Sequence, residues 1–369
     1  MKNATNKVQL ANSQSLHKEP IHRQLYQILR NPIVSGIYAS GSKLPTEAEL
    51  TKLYKVSRVT VRRALQELAS QGLIEGRKSQ GTFVRIGANI RIKPKYIFVY
   101  DNTSPITYPY LSLLLQGIQS KSQNLKFRLE IIVRNPMAER STKDAMFSDF
   151  IELADFNGII TLPECLTQEE IFQLEKRNIP IVFVGHTHDT TALGPNTIRI
   201  ECNPRQSMFL ILNHLIQIGH TKVGYIGKPL SESKIHKDFI CSIFDEIKLE
   251  FPIDAYEPCE YGIDPATSVC CGLLKKKPEL NAIFCFDDLH AIGALQYLRT
   301  TNKRIPQEIA LAGYGNLLGE HSNLDITTVD IRIKEQGAMA VSCLDDLIAG
   351  KEVKKRIWIE PFLIKRKTA

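Results

Sequence analysis

A cluster of cationic side chains lies between positions 58 and 63, at a spacing that puts them on one side of a helix. Arg58, Arg62 and Arg63 recur there together with Thr60. Cations near the start of a helix oppose its dipole, so helix stability does not explain their presence. Arginine can hold guanine through two hydrogen bonds, and cations attract phosphate. The pattern supports contact with duplex DNA, and a merely solvated charged face is the alternative.

Two short helices joined by a tight turn are needed to position these side chains. Thr46 is a good N-cap for the first helix, and Glu49 three residues later completes a capping box. Ser57 caps the second helix, after a turn at Lys55-Val56. The sequence thus predicts a helix-turn-helix in which each helix begins at a defined residue.

An apolar stripe is predicted to anchor the two helices from beneath. Leu50 and Leu53 are expected to face inward on the first helix. Val61, Leu65 and Leu68 recur at helical spacing on the second helix, opposite the cations. We therefore expect an amphipathic second helix whose cations lie on the exposed face.

A basic hairpin follows the second helix. Residues 73–75 and 82–84 are predicted to be short strands, and the turn region between them carries Lys78, Gln80 and Gly81. An ordinary helical hairpin is the alternative, since short helix-turn-helix patterns have many false positives. The capping box, the turn, the basic helix and the basic hairpin occur here in order, which favours DNA binding.

Four motifs in this region carry a family resemblance. They are P-I-H-R-Q-L, L-P-T-E-A-E-L, V-S-R-V-T-V-R-R-A-L and G-T-F-V, and they make residues 20–84 resemble the GntR winged-helix family. The resemblance implies that Arg58 and Arg62 read bases and that Gly81 enters the minor groove. Ala48 stands where the family often has arginine, so one base or phosphate contact of the family is expected to be absent. The candidate DNA contacts are Thr46, Glu47, Ser57, Arg58, Thr60, Arg62, Arg63, Lys78, Gln80 and Gly81.

Length and charge divide the chain into a basic end and a nearly neutral body. The 369 residues suggest two or three domains, and the formal net charge is +8. Residues 1–94 hold 16 lysines and arginines against 5 acids, whereas residues 95–369 hold 31 against 34. A basic segment of this kind suits a polyanionic partner.

Cysteine spacing and hydropathy indicate the compartment. The 8 cysteines form no C-x-x-C pair and show no zinc-ligand spacing, so we expect buried thiols and no metal. No apolar run approaches about 18 residues, and the polar N-terminus lacks a signal core. A cytoplasmic protein without a membrane segment is expected.

From Lys95 onward, apolar β-branched runs alternate with helical stretches. YIFVY, GIITL, IPIVFVG, KVGYIG, AIFCF and IALAGYG are such runs, and one of the predicted helices spans residues 143–154. Strands that are apolar throughout are buried on both faces, as in a parallel sheet covered by helices. The alternation predicts α/β architecture with two doubly wound parallel-sheet subdomains, and ligands in such folds bind outside the carboxyl ends of the strands.

Further motifs give this body a resemblance of its own. L-I-Q-I-G-H-T-K-V-G-Y-I-G, A-I-F-C-F-D-D-L-H-A-I-G-A-L and I-P-Q-E-I-A-L-A-G-Y-G-N make it similar to the periplasmic-binding-protein-like effector domain of LacI/GalR regulators. A GntR-type head on such a body is the arrangement of AraR-type arabinose repressors. The resemblance implies a sugar effector, a homodimer and an operator of double-stranded DNA with two half-sites.

The expected domain order follows from these observations. Residues 1–19 are predicted to be a flexible tail, and residues 20–84 a winged helix-turn-helix domain. Residues 85–94 form a linker, and residues 95–369 an effector-binding and dimerisation domain. A helix is predicted from Pro20, and Pro32 is expected to kink it or to end it at Asn31.

Seven residues are candidate effector contacts. By resemblance Asp288 is the family's effector-binding aspartate just past a buried strand, and the N-cap of the next helix is its alternative role. Tyr108 and Tyr110 could stack on a sugar or pack in the core, and Ser104 shares their loop. His186 follows another strand and is otherwise a surface histidine.

Two departures from the family affect the same cleft. Ile235 stands where the family has an effector-binding arginine, which leaves Lys234 or Lys237 as the substitute. Gly315 stands where the family has aspartate, and Tyr261 is a further stacking candidate. An acidic effector is the alternative to a neutral sugar that the lysines of this segment suggest, unless they form a solvated face.

Three functions remain to be distinguished. The leading one is a DNA-binding transcription regulator, most simply a repressor, whose operator affinity a small molecule controls. The second keeps DNA binding but uses the α/β body as a protein-interaction platform without a small-molecule effector. The third is an enzyme, because GntR heads also occur fused to aminotransferase-like domains. The chain has no nucleophile elbow, P-loop, H-E-x-x-H or cofactor-lysine motif, so we expect neither catalysis nor a cofactor.

Overall fold

The computed structural model divides the chain into two compact units. The first comprises Met1–Pro94 and the short segment Ile348–Lys351, and the second comprises the remainder. The structure describes residues 20–34, 38–77, 80–85, 94–101, 109–121, 125, 127–134, 151, 156–163, 165–186, 193–249, 253–319 and 325–369.

The first unit consists of three helices and a hairpin around one apolar core. Its elements are α1 (Ile21–Val34), α2 (Glu47–Tyr54), α3 (Arg58–Ser70), β1 (Ile74–Arg77) and β2 (Gly81–Val84). The two strands pair antiparallel, with Ile74 opposite Val84. The predicted stripe of α3 is buried, and Ala64 extends it. Side chains from all three helices and both strands meet in the same cluster, which confirms a winged helix-turn-helix fold.

The second unit alternates strands and helices, as the sequence predicts. Its helices are α4 (Pro109–Ser120), α5 (Gln168–Lys176), α6 (Pro204–Gln217), α7 (Leu230–Glu246), α8 (Ile263–Lys276), α9 (Asp288–Arg299) and α10 (Ile333–Ile348). Its strands are β3 (Lys95–Asp101), β4 (Arg128–Arg134), β5 (Gly158–Thr161), β6 (Ile181–Val184), β7 (Thr197–Cys202), β8 (Val223–Gly227), β9 (Tyr256–Pro258), β10 (Ala282–Cys285), β11 (Ala310–Ala312), β12 (Thr328–Asp330), β13 (Arg356–Ile359) and β14 (Phe362–Ile364).

Two parallel sheets organise this unit. The larger sheet has the strand order β13-β7-β6-β5-β3-β4, and the smaller has the order β11-β10-β8-β9. Strands β5, β6, β8 and β10 are buried along their whole length, as strands covered on both faces must be. All 8 cysteines are free thiols, and those not fully buried are partly so.

The chain passes between the two sheets three times. It leaves the larger sheet at β7 for α6, which packs on β12 and β14, and it returns through α10 to β13. It then enters β14, which pairs antiparallel with β12 beside the smaller sheet. We call the connections after β7, after β12 and after β13 the three crossovers. They fix the two sheets as parts of one unit.

Helices α4 and α10 approach each other closely on the larger sheet, and glycine makes this approach possible. A Cβ added to Gly117 would lie 2.0 Å from the carbonyl oxygen of Lys334, and one added to Gly337 would lie 2.4 Å from that of Leu114. Both distances are below any tolerable contact, so a side chain at either position would push the two helices apart.

Of the two predicted effects of Pro32, a kink or an end of α1 at Asn31, the structure contradicts the second. The helix continues to Val34, past Pro32. Proline removes the hydrogen bond to the carbonyl group four residues earlier, and that residue, Ile28, lies on the exposed side, where water can replace the bond. Continuing the helix buries Ile33, whose side chain is only 7% exposed, so the apolar gain offsets the lost bond.

Two further predictions are corrected or lie outside the described residues. Leu53 was expected to face inward, but it is 62% exposed, because α2 is short and contributes only Leu50 to the core of the unit. The helix predicted at 143–154 falls almost entirely outside the described residues. No helix is predicted from the sequence at the position of α10, although this helix carries one of the crossovers.

Replacing Leu50 and Leu53 by alanine tests the packing of α2. Leu50→Ala is expected to lower the free energy of unfolding of the first unit by about 2–5 kcal/mol, because Leu50 is 1% exposed. Leu53→Ala should change it by less than about 0.5 kcal/mol, since that side chain meets solvent. Denaturant unfolding of both variants measures the difference, and equal losses would contradict the packing described above.

Candidate nucleic-acid interface and ligand cleft

Side-chain caps fix the start of both helices in the helix-turn-helix. The Thr46 hydroxyl accepts a hydrogen bond from the amide of Glu49, and the Thr46 amide donates to a Glu49 carboxylate oxygen at 2.7 Å. These bonds lower the pKa of Glu49. The turn passes through Lys55 in the left-handed conformation, at φ 53°, and the Ser57 hydroxyl then accepts from the amide of Thr60. The predicted capping box and cap are confirmed.

The exposed side of α3 presents three arginines to solvent. Arg58, Arg62 and Arg63 are exposed while Val61 and Leu68 on the opposite side are fully buried. We call the three arginines the reading face. Thr60 is half-buried beside them, and its hydroxyl lies 2.8 Å from that of Ser57. Such a helix, cationic outside and anchored inside, has the size and charge that a major groove accepts.

An acidic side chain contacts the reading face. The Nη2 atom of Arg62 lies 3.1 Å from a carboxylate oxygen of Glu47, at the start of α2. This hydrogen bond raises the pKa of Arg62. The structure therefore brings Glu47 and Arg62, both candidate DNA contacts, into direct contact with each other.

The hairpin formed by β1 and β2, which we call the wing, is the region of the remaining candidate DNA contacts. Gln80 and Gly81 are exposed at the start of β2, and Lys78 lies outside the described residues. Gly81 has φ 113°, and an added Cβ would lie 2.9 Å from Cε of Lys43. Lys43 is thus an exposed cation beside the wing that the sequence analysis missed. Its place depends on a bridge between Lys43 and Phe83, which no local spacing reveals.

Carboxyl ends of strands from both sheets line the candidate cleft in the second unit. On the side of the larger sheet, Tyr110 of α4 lies against Gly185, which follows β6. Tyr314 follows β11 of the smaller sheet, and burial raises the pKa values of both tyrosines. Cys202, at the first crossover, contributes to the raised pKa of each tyrosine, while burial keeps its own pKa at about 11. Tyr110 is therefore one predicted contact that lies where the two sheets meet.

His186 lies just past the carboxyl end of β6, at the edge of the larger sheet. Its Nδ1 atom lies 3.0 Å from a carboxylate oxygen of Glu201, whose other oxygen lies 3.2 Å from Nε of Arg356. The imidazole ring faces Phe239 of α7, with ring centroids 6.3 Å apart. The predicted contact His186 therefore touches both halves of the second unit, and Glu201, which the sequence analysis did not single out, orients it.

Tyr261 belongs to an aromatic group at the smaller sheet. Its ring lies 6.2 Å from those of Phe286 and His290, measured between centroids. His290 is fully buried and its Nδ1 atom lies 2.6 Å from the carboxylate of Asp287. Burial lowers the pKa of His290, but the hydrogen bonds with Asp287 and Cys259 and the charge of Asp287 together outweigh it and raise this pKa to about 10. Asp287 and His290 thus form a buried ion pair.

Asp288 is buried and hydrogen-bonded within the fold. It is only 2% exposed, and its carboxylate accepts hydrogen bonds from the amide of Leu317 at 2.6 Å and the hydroxyl of Thr328 at 2.7 Å. Each oxygen thus has one protein partner, and contact of Asp288 with an effector stays a prediction. The N-cap role is wrong for Asp288, since Asp287 caps α9 by accepting from the amide of His290.

The other candidate contacts lie beyond what the structure describes. Ser104 and Tyr108 are outside the described residues. Lys234 lies in α7, but only its backbone is described. Among the described residues, no group of three or more His, Cys, Asp or Glu side chains could hold a metal ion. The described helices include none that is long and apolar enough to cross a membrane.

These two units define a class of protein, the transcription regulators that join a winged helix-turn-helix to a two-sheet α/β body. Residues 21–84 match the family of bacterial regulatory proteins called the gntR family, and residues 212–369 match the periplasmic binding protein-like domain. The chain therefore combines a GntR-type DNA-binding domain with a periplasmic-binding-protein-like domain, as AraR-type repressors do. Its curated relatives are named as transcriptional repressors and not as enzymes.

Curated relatives and a solved structure agree with this class. The arabinose metabolism transcriptional repressor of Geobacillus stearothermophilus is 24% identical over 91% of this chain and 93% of its own length. The HTH-type transcriptional repressor PurR of Aliivibrio salmonicida is 26% identical, but the match covers 58% of this chain and 64% of that protein. A structure of a CelR-cellobiose complex has a TM-score of 0.61 at 17% identity, covers 92% of this chain and 99% of that one, and shows the fold alone.

The buried carboxyl group of Asp288 predicts a pH dependence. Burial raises its pKa to about 7 from 3.8, against the hydrogen bonds from Thr328 and Leu317. The folded state therefore binds the proton more tightly than the unfolded state, and stability present below about pH 4 is lost as the pH rises to about 7. The loss is expected to reach a few kcal/mol.

Asp288→Asn tests this expectation, because an amide can accept from Leu317 and donate to the Thr328 hydroxyl without carrying a charge. Denaturant unfolding between pH 4.5 and 8 should show that the wild-type free energy of unfolding falls with pH relative to that of the variant. A difference that stays constant over this range would show that Asp288 does not titrate there.

Proposed function

We propose that the chain is a repressor that binds a double-stranded operator through the reading face. A small molecule in the cleft either lowers or raises its affinity for the operator. The exposed, capped and rigidly anchored reading face is the observation that carries the DNA-binding part. The wing adds Gln80, Gly81 and Lys43 beside it. Phosphate contacts are proposed for Thr46, Ser57 and Thr60, whose side chains lie at the starts of α2 and α3.

The operator is proposed to contain two half-sites bound by a homodimer, because two symmetric heads read symmetric sequences. The effector is proposed to be a sugar or sugar derivative. Tyr110, His186 and Tyr261 support this, since aromatic and imidazole rings at the carboxyl ends of strands suit the C–H faces and hydroxyl groups of sugars. The repressor of arabinose metabolism named above supports the same class of effector.

A second candidate function keeps DNA binding but gives the α/β unit a protein partner in place of a small molecule. The carboxylate of Asp288 supports it, because hydrogen bonds within the fold already engage both of its oxygens. Glu201 and Asp287 are likewise bound to protein partners. The two functions differ in whether small molecules stabilise the fold.

Arg58→Ala is expected to weaken specific binding by about 1–3 kcal/mol, the contribution of one bidentate arginine–guanine contact. Operators selected by the wild-type protein from a random duplex pool provide the probe, and fluorescence anisotropy measures the affinity. Arg304→Ala is the matched control, because Arg304 is an exposed arginine of the second unit that pairs with Glu308. Equal loss on operator and on random duplex would show that Arg58 holds only phosphate.

A panel of pentoses, hexoses and their phosphates tests the effector. A ligand at 100 times its dissociation constant should stabilise the protein by about 2.7 kcal/mol, visible as a higher melting temperature. His186→Ala should remove most of this shift, while Phe172→Ala should retain it, because Phe172 is 60% exposed on α5. Absence of any shift across the panel would favour the protein-partner function.

A further inference from the structure

Glu47 contacts the reading face in a particular way. It hydrogen-bonds the side edge of the Arg62 guanidinium, with Nε 3.4 Å from Oε1 and Nη2 3.1 Å from Oε2. A guanidinium has five N–H groups, and this contact uses one on Nε and one on Nη2. The remaining N–H of Nη2 and the adjacent N–H of Nη1 form the end edge of the group. That end edge is free to meet the O6 and N7 atoms of guanine.

The contact is selective among the charged side chains nearby. Of the two acids in the first turn of α2, Glu49 is committed to the capping box, and only Glu47 reaches α3. Within the described part of the chain, Arg58 and Arg63 have no ion-pair partner, so the acid holds one arginine of the three. Both partners stay accessible, with 63% of the Arg62 side chain and 39% of the Glu47 side chain exposed.

A carboxylate at this place has an electrostatic cost for DNA binding. Glu47 lies at the surface that would approach the phosphates, where a negative charge weakens attraction to any duplex. An exposed ion pair contributes little to stability, so stability alone is a weak reason for the acid. A side chain held in its bound conformation loses less entropy on binding, and this gain is realised only where a guanine meets it.

We propose that Glu47 is a specificity-determining residue that acts through Arg62, a role that rests on the DNA-binding function proposed above. It holds the guanidinium so that the end edge points at one base pair, and its charge lowers affinity for DNA in general. Glu47 thereby favours the correct sequence over all others and lowers the affinity for random duplex. Glu47 is a positioning residue in this account, and Arg62 makes the base contact.

Two opposite effects follow from removing the carboxylate. Glu47→Gln and Glu47→Ala should raise affinity for random duplex by about twofold to fivefold, because a repulsive charge is gone. The same variants should lower discrimination at one operator base pair by roughly threefold to tenfold, with the larger effect for alanine. If Glu47 only held α2 against α3, its substitution would change the melting temperature. It would change neither the affinity for random duplex nor the discrimination at the operator base pair.

The experiment measures anisotropy for the full chain on the selected operator, on operators with each base pair changed, and on random duplex. Arg62→Ala first identifies the base pair that Arg62 reads, as the position where discrimination falls by roughly 5- to 150-fold. Glu47→Gln is then measured alone and together with Arg62→Ala. Glu67→Gln is the matched control, because it removes one negative charge from α3 at a half-buried position without contact to Arg62.

The proposal expects Glu47→Gln to relax the same base pair as Arg62→Ala and to have no further effect in the double variant. Relaxation at a different base pair would overturn it, since Glu47 would then accept from a cytosine amine itself. Unchanged discrimination at every position would also overturn it. If the wild-type protein selects no operator at all, the proposed DNA-binding function fails, and that result is distinct from both.

Discussion

Burial of the aliphatic side of α3 is the contact on which the cationic surface depends. Arginines in the first turns of a helix oppose its dipole, at about 0.3–1 kcal/mol each. Val61 and Leu68 are 0% exposed, and burying such side chains contributes about 1.5–3 kcal/mol each. The apolar term exceeds the electrostatic one, so the helix persists with its charges outward. The outward arginines are unfavourable to the helix itself, so the best explanation for them is a partner that this surface binds.

Burial also explains the arrangement of charged groups in the second unit, where two buried carboxylates connect segments near the crossovers. An isolated buried carboxylate is very unfavourable, so each one must find partners. Glu201 is the penultimate residue of β7, where the first crossover begins, and it joins His186 to Arg356 on β13. Asp288 joins the start of α9 to Thr328, which begins β12. Each carboxylate therefore links a cleft segment to a strand that leads into a crossover.

The sequence was informative where the interaction is local. The bonds of Thr46 with Glu49 and of Ser57 with Thr60 span three residues, and spacing alone predicts them. The alternation of strands and helices and the burial of whole strands follow equally from local pattern. The role of Asp288 does not, because its donors lie 29 and 40 residues away along the chain. Resemblance alone points to a ligand contact, and only the folded structure reveals these hydrogen bonds within the fold.

The hydrogen bonds from Leu317 and Thr328 to Asp288 also indicate how a ligand bound in the cleft would change the conformation of the second unit. A ligand can shift an equilibrium only by its differential affinity for the two states. Moving the Leu317 loop or β12 relative to α9 would break a hydrogen bond to the buried carboxylate of Asp288, and leaving such a group unsatisfied is costly. Intermediate positions are therefore disfavoured, and the crossovers are expected to pass between discrete arrangements. An effector of the kind proposed above would act by favouring one of these arrangements.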